Sequence, residues 1–194
     1  MAEYITLPEV KEALPDLGTD ADSLLGKLIV QASARVDAFT QRSFGLTTAT
    51  KTFNATDYPR LFVPDLVSVT TLTAKPGTTS AAVTVPSTDF FLGPAGRRPG
   101  WPAQWIDLSD IPLGSIYSYS YGYNTVSITG VWGWPSVPDD IRNVTLEMVV
   151  RMWKARASGF SDEGLGDIGG GQTSRYMTWE QRSTLENYKP VQVF

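Results

Sequence analysis

Gly164-Leu165-Gly166-Asp167-Ile168-Gly169 carries the spacing of a loop that cradles a dinucleotide phosphate on backbone N–H groups. That chemistry needs a strand before the glycines and a helix after them, and here the preceding periodicity is helical. No lysine follows in the position a nucleoside-triphosphate loop requires. The stretch therefore reads as a flexible glycine-rich loop over 159–175. Asp107, Asp110, Asp139 and Asp140 are the next candidates, since folding could gather them around a divalent cation or into a hydrolase that works with Asp and Ser alone. Their spacing matches no calcium loop, and turn and helix-capping roles suit them better. The sequence holds no His and no Cys, which removes the usual general base, the commonest metal ligand, thiolate nucleophiles and disulfides. No catalytic residue, cofactor or metal site is expected, and the chain reads as something other than an enzyme.

Aromatic residues offer a different chemistry, that of contact. Tyr117, Tyr119, Tyr121 and Tyr123 recur at period two, which aligns their rings on one face of a strand. Such a row can stack on a sugar or an exposed base, but the expected role is to pack a sheet face or a subunit contact. Six Trp are present. Trp132, Trp134 and Trp153 flank the junction between β-like and helical sequence, where core packing is expected. Trp101 and Trp105, set among Pro99, Gly100 and Pro102, have the context of a partner surface. Candidate subunit or partner contacts are thus Trp101, Trp105, Tyr117, Tyr119 and Tyr121.

Composition bounds what these residues serve. The chain has 194 residues, 42% hydrophobic and 19% charged, enough for one domain with a sizeable insertion. Its net charge of −4 argues against gripping nucleic acid, which takes clustered Lys and Arg. Residues 1–40 are the acidic part: Glu3, Glu9, Glu12, Asp16, Asp20, Asp22 and Asp37 stand against Lys11, Lys27 and Arg35. No apolar stretch approaches a membrane span, and the opening residues lack a signal-peptide pattern, so no membrane partner is expected.

The elements that position the candidates follow from periodicity. Thr6-Leu7-Pro8-Glu9 has capping-box spacing and predicts a helix over 7–14. Thr19 or Asp20 caps a second helix, with Leu24, Leu25, Leu28, Ile29, Ala32, Val36 and Phe39 on one stripe, stopping near Arg42 at a Ser43-Phe44-Gly45 break. From 47 to 134 the texture is β, with strands expected at 50–53, 60–63, 67–74, 83–85, 90–92, 104–108, 115–121 and 125–131. A helix over 138–157 buries Ile141, Val144, Met148, Val149 and Met152, and a last helix runs from a Thr178 cap to about Tyr188. Val191-Gln192-Val193-Phe194 alternates like a strand awaiting a partner. The expected fold is α+β: a small helical bundle of N-terminal helices and a long C-terminal helix (1–46 and 135–194) with a large inserted antiparallel β segment (47–134).

Tyr4-Ile5-Thr6-Leu7-Pro8-Glu9, then Phe39-Thr40-Gln41-Arg42-Ser43-Phe44, then Gly130-Val131-Trp132-Gly133-Trp134-Pro135-Ser136-Val137-Pro138-Asp139-Asp140-Ile141 before the basic Arg151, Lys154 and Arg156, occur in an order that resembles the head-tail connector (adaptor, head-completion) family of long-tailed bacteriophages. The match covers about the first 45 and last 65 residues. The resemblance implies a homo-oligomeric ring, typically twelve-fold, made in the host cytoplasm and placed in the virion neck. There it joins the portal protein at the capsid vertex to the tail or to the next neck protein (stopper or tail-completion), and viral DNA passes through without specific binding. An acidic lumen would repel that DNA rather than hold it. The nearly 90-residue β segment is longer than in many members. Tyr188, Val191, Val193 and Phe194 are the candidate portal or neck interface, and deleting 189–194 is expected to abolish docking while sparing the fold. The competing reading is a tail or baseplate module whose β segment recognises a host glycan through Trp and Tyr.

Overall fold

The computed structural model describes residues 3–54, 60–75, 81–108, 125–157 and 177–190. The fold is α+β, with helices at both ends of the chain and a six-stranded antiparallel sheet between them. The chain divides into two compact units, one of Met1–Phe44 with Val137–Phe194 and the other of Gly45–Ser136.

The helical unit contains α1 (Leu7–Ala13), α2 (Asp22–Thr40), α3 (Asp139–Ala157) and α4 (Trp179–Glu186). α1 begins at Thr6, whose backbone N–H and hydroxyl both donate to the Glu9 carboxylate, at 2.6 and 2.8 Å. This is the reciprocal arm of the expected capping box. Thr19 and Asp20 do not cap α2 directly; they lie in a single 3-10 turn, Thr19–Ala21, that leads into it. The end of α2 also departs from expectation. The break is at Gln41, which takes the left-handed conformation (φ 55°), and not at Gly45. A left-handed residue after the last turn stops a helix whichever residue supplies it, at some steric cost when it is not glycine.

α2 packs on α3, α1 contacts both, and α4 contacts α2 and α3. All five residues expected on the α3 stripe are buried, as are Leu25, Leu28, Ile29, Ala32 and Val36 of α2. Leu24, Phe39 and Trp153 are half-buried at the stripe margins. Polar groups inside this core are answered locally: Thr40 and Thr145 each donate to the carbonyl four residues back, at 2.8 and 2.7 Å. Gln181 donates to Glu147 at 2.8 Å.

The sheet unit contains β1 (Leu46–Asn54), β2 (Arg60–Lys75), β3 (Val83–Val85), β4 (Phe91–Gly93), β5 (Ala103–Asp107) and β6 (Thr125–Gly133). Strand order is β1-β6-β2-β5-β4, with β3 also on β2. The two strands expected at 60–63 and 67–74 are one, β2, interrupted by an irregularity between Phe62 and Leu66. Pro64 falls there, where a residue without an N–H can sit within a sheet. β2 runs four residues there against two of β5, and burial passes from odd to even positions: Leu61, Val63 and Asp65 are buried up to it, and Leu66, Leu72 and Ala74 from its end onward. β6 alternates throughout, burying Val126, Ile128, Gly130 and Trp132. The core of this unit joins those side chains to Val85, Ala103, Ile106 and Leu108. The strand expected at 115–121 lies outside the described residues.

Candidate interaction surfaces

Trp105 is on β5, within the strand expected at 104–108, and the register explains its surroundings. Phe62 of β2 and Gly93 of β4 stand directly opposite it, while Arg60 and Phe91 stand opposite Asp107. Paired residues share a sheet face. Ile106 and Leu108 point into the core, so Arg60, Phe62, Trp105, Asp107 and Phe91 occupy the other side. Phe62 is 41% exposed and Phe91 59%. The Phe62 and Trp105 rings are tilted at 60° with centroids 6.1 Å apart, and the Arg60 guanidinium lies 5.4 Å from the centre of the indole. Arg60 also approaches Asp107 at 3.8 Å. A Cβ on residue 93 would fall inside the Trp105 ring, so glycine is what lets the indole lie across β4. The result is an aromatic patch fixed by backbone geometry, with a charged pair at its margin.

Trp101 belongs to a second feature of the same unit. Its ring meets that of Trp134 edge-on at 4.9 Å, and Arg98 lies 5.5 Å above it. Trp134 is buried and donates its indole N–H to Asp65 at 2.9 Å, which accounts for a carboxylate that is only 8% exposed. Arg97 donates to the Leu92 carbonyl at 3.0 Å. Above these groups opens a cleft of about 420 Å³, walled by Arg97, Arg98, Pro99, Trp101, Pro102 and Pro135, with Val67, Ala95 and Gly100 completing it. A concave site with cations beside aromatic and proline walls suits a flat aromatic side chain accompanied by negative charge.

In the helical unit, Tyr188 is 6% exposed, its ring edge-on to Phe44 at 5.7 Å and its hydroxyl donating to Asp140 at 3.1 Å. The residue expected at a partner surface is a packing residue within its own unit. Lys189 follows it, with its ammonium 4.2 Å from the centre of the Phe39 ring. Val191, Val193 and Phe194 lie outside the described residues, as do Tyr117, Tyr119, Tyr121, Tyr123, Asp110 and the glycine motif at 164–169.

Trp179, which sequence reasoning passed over, is 80% exposed at the first position of α4. The signal was present. The buried positions 181, 185 and 188 follow the helical period, and Trp179 is off that stripe, on the side of Arg182, Ser183 and Glu186. Its orientation is set by Thr178, which accepts from the Gln181 N–H at 3.2 Å while the Gln181 side chain accepts from the Thr178 N–H at 3.0 Å. Phe62 and Phe91 were missed for a different reason: their exposure depends on the face flip at Pro64 and on strand register.

One polar constellation ties the start of the chain to the end of α2. The Tyr4 hydroxyl donates to Asp37 and accepts the Phe44 N–H at 3.0 Å. Burial, reinforced by the bond to Asp37, pushes the Tyr4 phenol far above its ordinary range. Burial also raises the Asp37 carboxyl, with the Tyr4 bond opposing it. Glu9 is held low, first by the two Thr6 bonds and then by Arg142, with which it forms an ion pair. These groups hold structure together. Among the described residues no three of His, Cys, Asp and Glu are grouped to hold a metal ion, and no helix is long and apolar enough to cross a membrane. Of the four Asp expected as a possible cluster, Asp107 faces Arg60 and Asp140 accepts from Tyr188.

No protein-family model matches the chain, and no curated protein does. Among solved structures, the chain is similar to one from the neck of an empty GTA particle computed with C6 symmetry. The likeness covers 100% of this chain and 95% of that one, with a TM-score of 0.52 and 15% identity. At that identity it establishes a shared fold.

Proposed function

We propose that this chain is a structural subunit of a phage-type particle neck: a ring that joins the portal at the capsid vertex to the tail or the next neck protein. The observation that carries this reading is the correspondence of fold along the full length with a neck chain, β unit included. The ordered motifs at both ends of the sequence add to it. A twelve-membered ring is compatible with the sixfold symmetry applied to that particle. The acidic N-terminal region suits a channel through which DNA must slide. The work is that of contact surfaces, for which the aromatic patch around Trp105 and the cleft around Trp101 are suited, and it asks for no catalytic group.

Imaging of particles that carry a labelled copy of this subunit tests the reading. Density for the label as a ring between capsid and tail is the expected result; label at the baseplate or tail tip would overturn it in favour of the glycan-recognition module.

Portal docking falls in this proposal to the C-terminal residues, and the surroundings of Tyr188 and Lys189 sharpen the test. A cut before Lys189 removes a cation that lies over Phe39, whereas ending the chain at Pro190 leaves the described contacts of the helical unit intact. The 1–190 chain is expected to keep its helix content and melting temperature and to lose co-sedimentation with portal. Docking at the full-length level by that truncated chain would remove residues 191–194 from the interface.

A further inference from the structure

The cleft of the sheet unit and the exposed Trp179 of the helical unit are chemical complements. The cleft offers apolar walls from Pro99, Trp101, Pro102 and Pro135 and positive charge from Arg97 and Arg98, in about 420 Å³. What fits it is a large flat aromatic group with a carboxylate at its side. The chain carries that pair itself: Trp179, 80% exposed, and Glu180, also exposed, in the first turn of α4 and held there by the Thr178–Gln181 capping box. A Trp presented at that exposure on a capped helix start is preorganised for insertion, which lowers the entropic cost of binding.

We propose that Trp179 of one copy inserts into the Arg98–Trp101 cleft of a second copy, with Glu180 set against Arg97 and Arg98. The two surfaces differ, so the contact is head-to-tail: each copy gives its Trp to one neighbour and its cleft to the other. Repetition of such a contact closes a ring when the rotation between copies closes, and needs no symmetric patch. This inference deepens the ring reading above and rests on it. It specifies the joint between copies.

The absence of Cys from the chain makes the joint directly testable. Ala95 lines the cleft and Ser183 lies one turn along α4 from Trp179, both exposed. With a short bis-maleimide, the Ala95→Cys/Ser183→Cys chain should give a ladder of covalent multimers, each single variant alone none, and a mixture of the two single variants dimers only. Trp179→Ala should weaken self-association about 30-fold, the scale of a buried aromatic anchor. Arg98→Glu and Glu180→Arg should each reduce assembly, and the two combined should restore it. Mixing Trp179→Ala copies, which keep the cleft, with Arg98→Glu copies, which keep the Trp, should yield dimers that grow no further. An oligomeric wild-type chain without a ladder, its mass unchanged by Trp179→Ala and Arg98→Glu, overturns this joint and leaves the ring. So does loss of portal or tail-protein binding by Trp179→Ala with self-association intact, which would give the Trp to a different protein. A wild-type chain that stays monomeric with and without portal, and gives no ladder, overturns joint and ring together.

Discussion

Tyr4 and Phe44 stand at the two ends of the N-terminal motifs, and in the folded chain they are one contact. Their rings meet edge-on at 5.6 Å, and the Tyr4 hydroxyl accepts the Phe44 N–H while donating to Asp37. Two segments about 40 residues apart are held by one side chain, which gives the sequence motif a mechanical cause. Asp37 is the member whose charge is least at ease, because burial raises its carboxyl. A carboxyl whose pKa is higher folded than unfolded contributes stability that is complete below the unfolded value and disappears as pH rises through the folded one. Asn at this position keeps an oxygen to accept from Tyr4 and has no charge to bury. Asp37→Asn is therefore expected to match the wild type in acid and to gain on it as pH rises from about 4 to 7, the range above an ordinary carboxyl. Glu9 works in the opposite sense, its stabilisation lost as pH falls through its lowered value, and it is common to both chains, so the difference between them isolates Asp37. Thermal melts across that range check this. A gap that is constant with pH, or that narrows towards neutrality, would count against burial as the cause.

At the scale of elements, what the sequence made legible was whatever its own periodicity controls. α3 is visible because five buried positions recur at helical spacing, and α1 and α4 because Thr6-Glu9 and Thr178-Gln181 cap them. The joining of 60–63 and 67–74 into β2 was not legible, since Pro64 is a terminator by local chemistry and a tolerated irregularity only once β5 and β6 are in place. The aromatic patch was hidden for the same reason: Trp105 could be named, but Phe62, Phe91 and Gly93 become its neighbours through register. Gly130 marks how closely β2 and β6 approach. A Cβ there would overlap the Ser68 carbonyl and press on Val69, backbone atoms beside the irregularities of β2 that cannot swing aside. Gly130→Ala is expected to destabilise the chain by about 1–3 kcal/mol, the range of overpacking in a filled site. Gly96→Ala, with nothing within 4 Å of the new methyl, should be close to neutral by comparison. Urea titrations of the two variants read the difference directly, and equal midpoints would mean that β2 can retreat from β6 at little cost.

Across the whole molecule, the sheet unit is one uninterrupted stretch, Gly45–Ser136, and the helical unit is assembled from what precedes and follows it. The strand that leaves and the strand that returns are neighbours. Leu46 of β1 pairs with Gly133 of β6, and Gly133, at φ 103°, comes so close to the Gly45 carbonyl that any side chain there would collide with it. Both crossings are thus at one end of the sheet, the arrangement in which an inserted unit can be removed without stretching its host. The helical unit that would remain is about 100 residues long, inside the range of domains that fold alone. It contributes its own core from Val10, Leu25, Ile29, Val36, Phe44, Ile141, Met148, Val149 and Leu185, all at most 2% exposed. Replacing residues 45–136 by a short Gly-Ser linker is therefore expected to leave a helical protein that melts cooperatively. Far-UV circular dichroism with a thermal scan checks it. The same variant separates the two jobs assigned to this chain, because it keeps Trp179 and the C-terminal residues and loses the Arg98–Trp101 cleft. It should dock to portal and bind the cleft of an intact copy, yet form no ring by itself. A non-cooperative melt would mean that the helices need the sheet to fold, and a ring built from the helical unit alone would move the joint between copies away from the cleft.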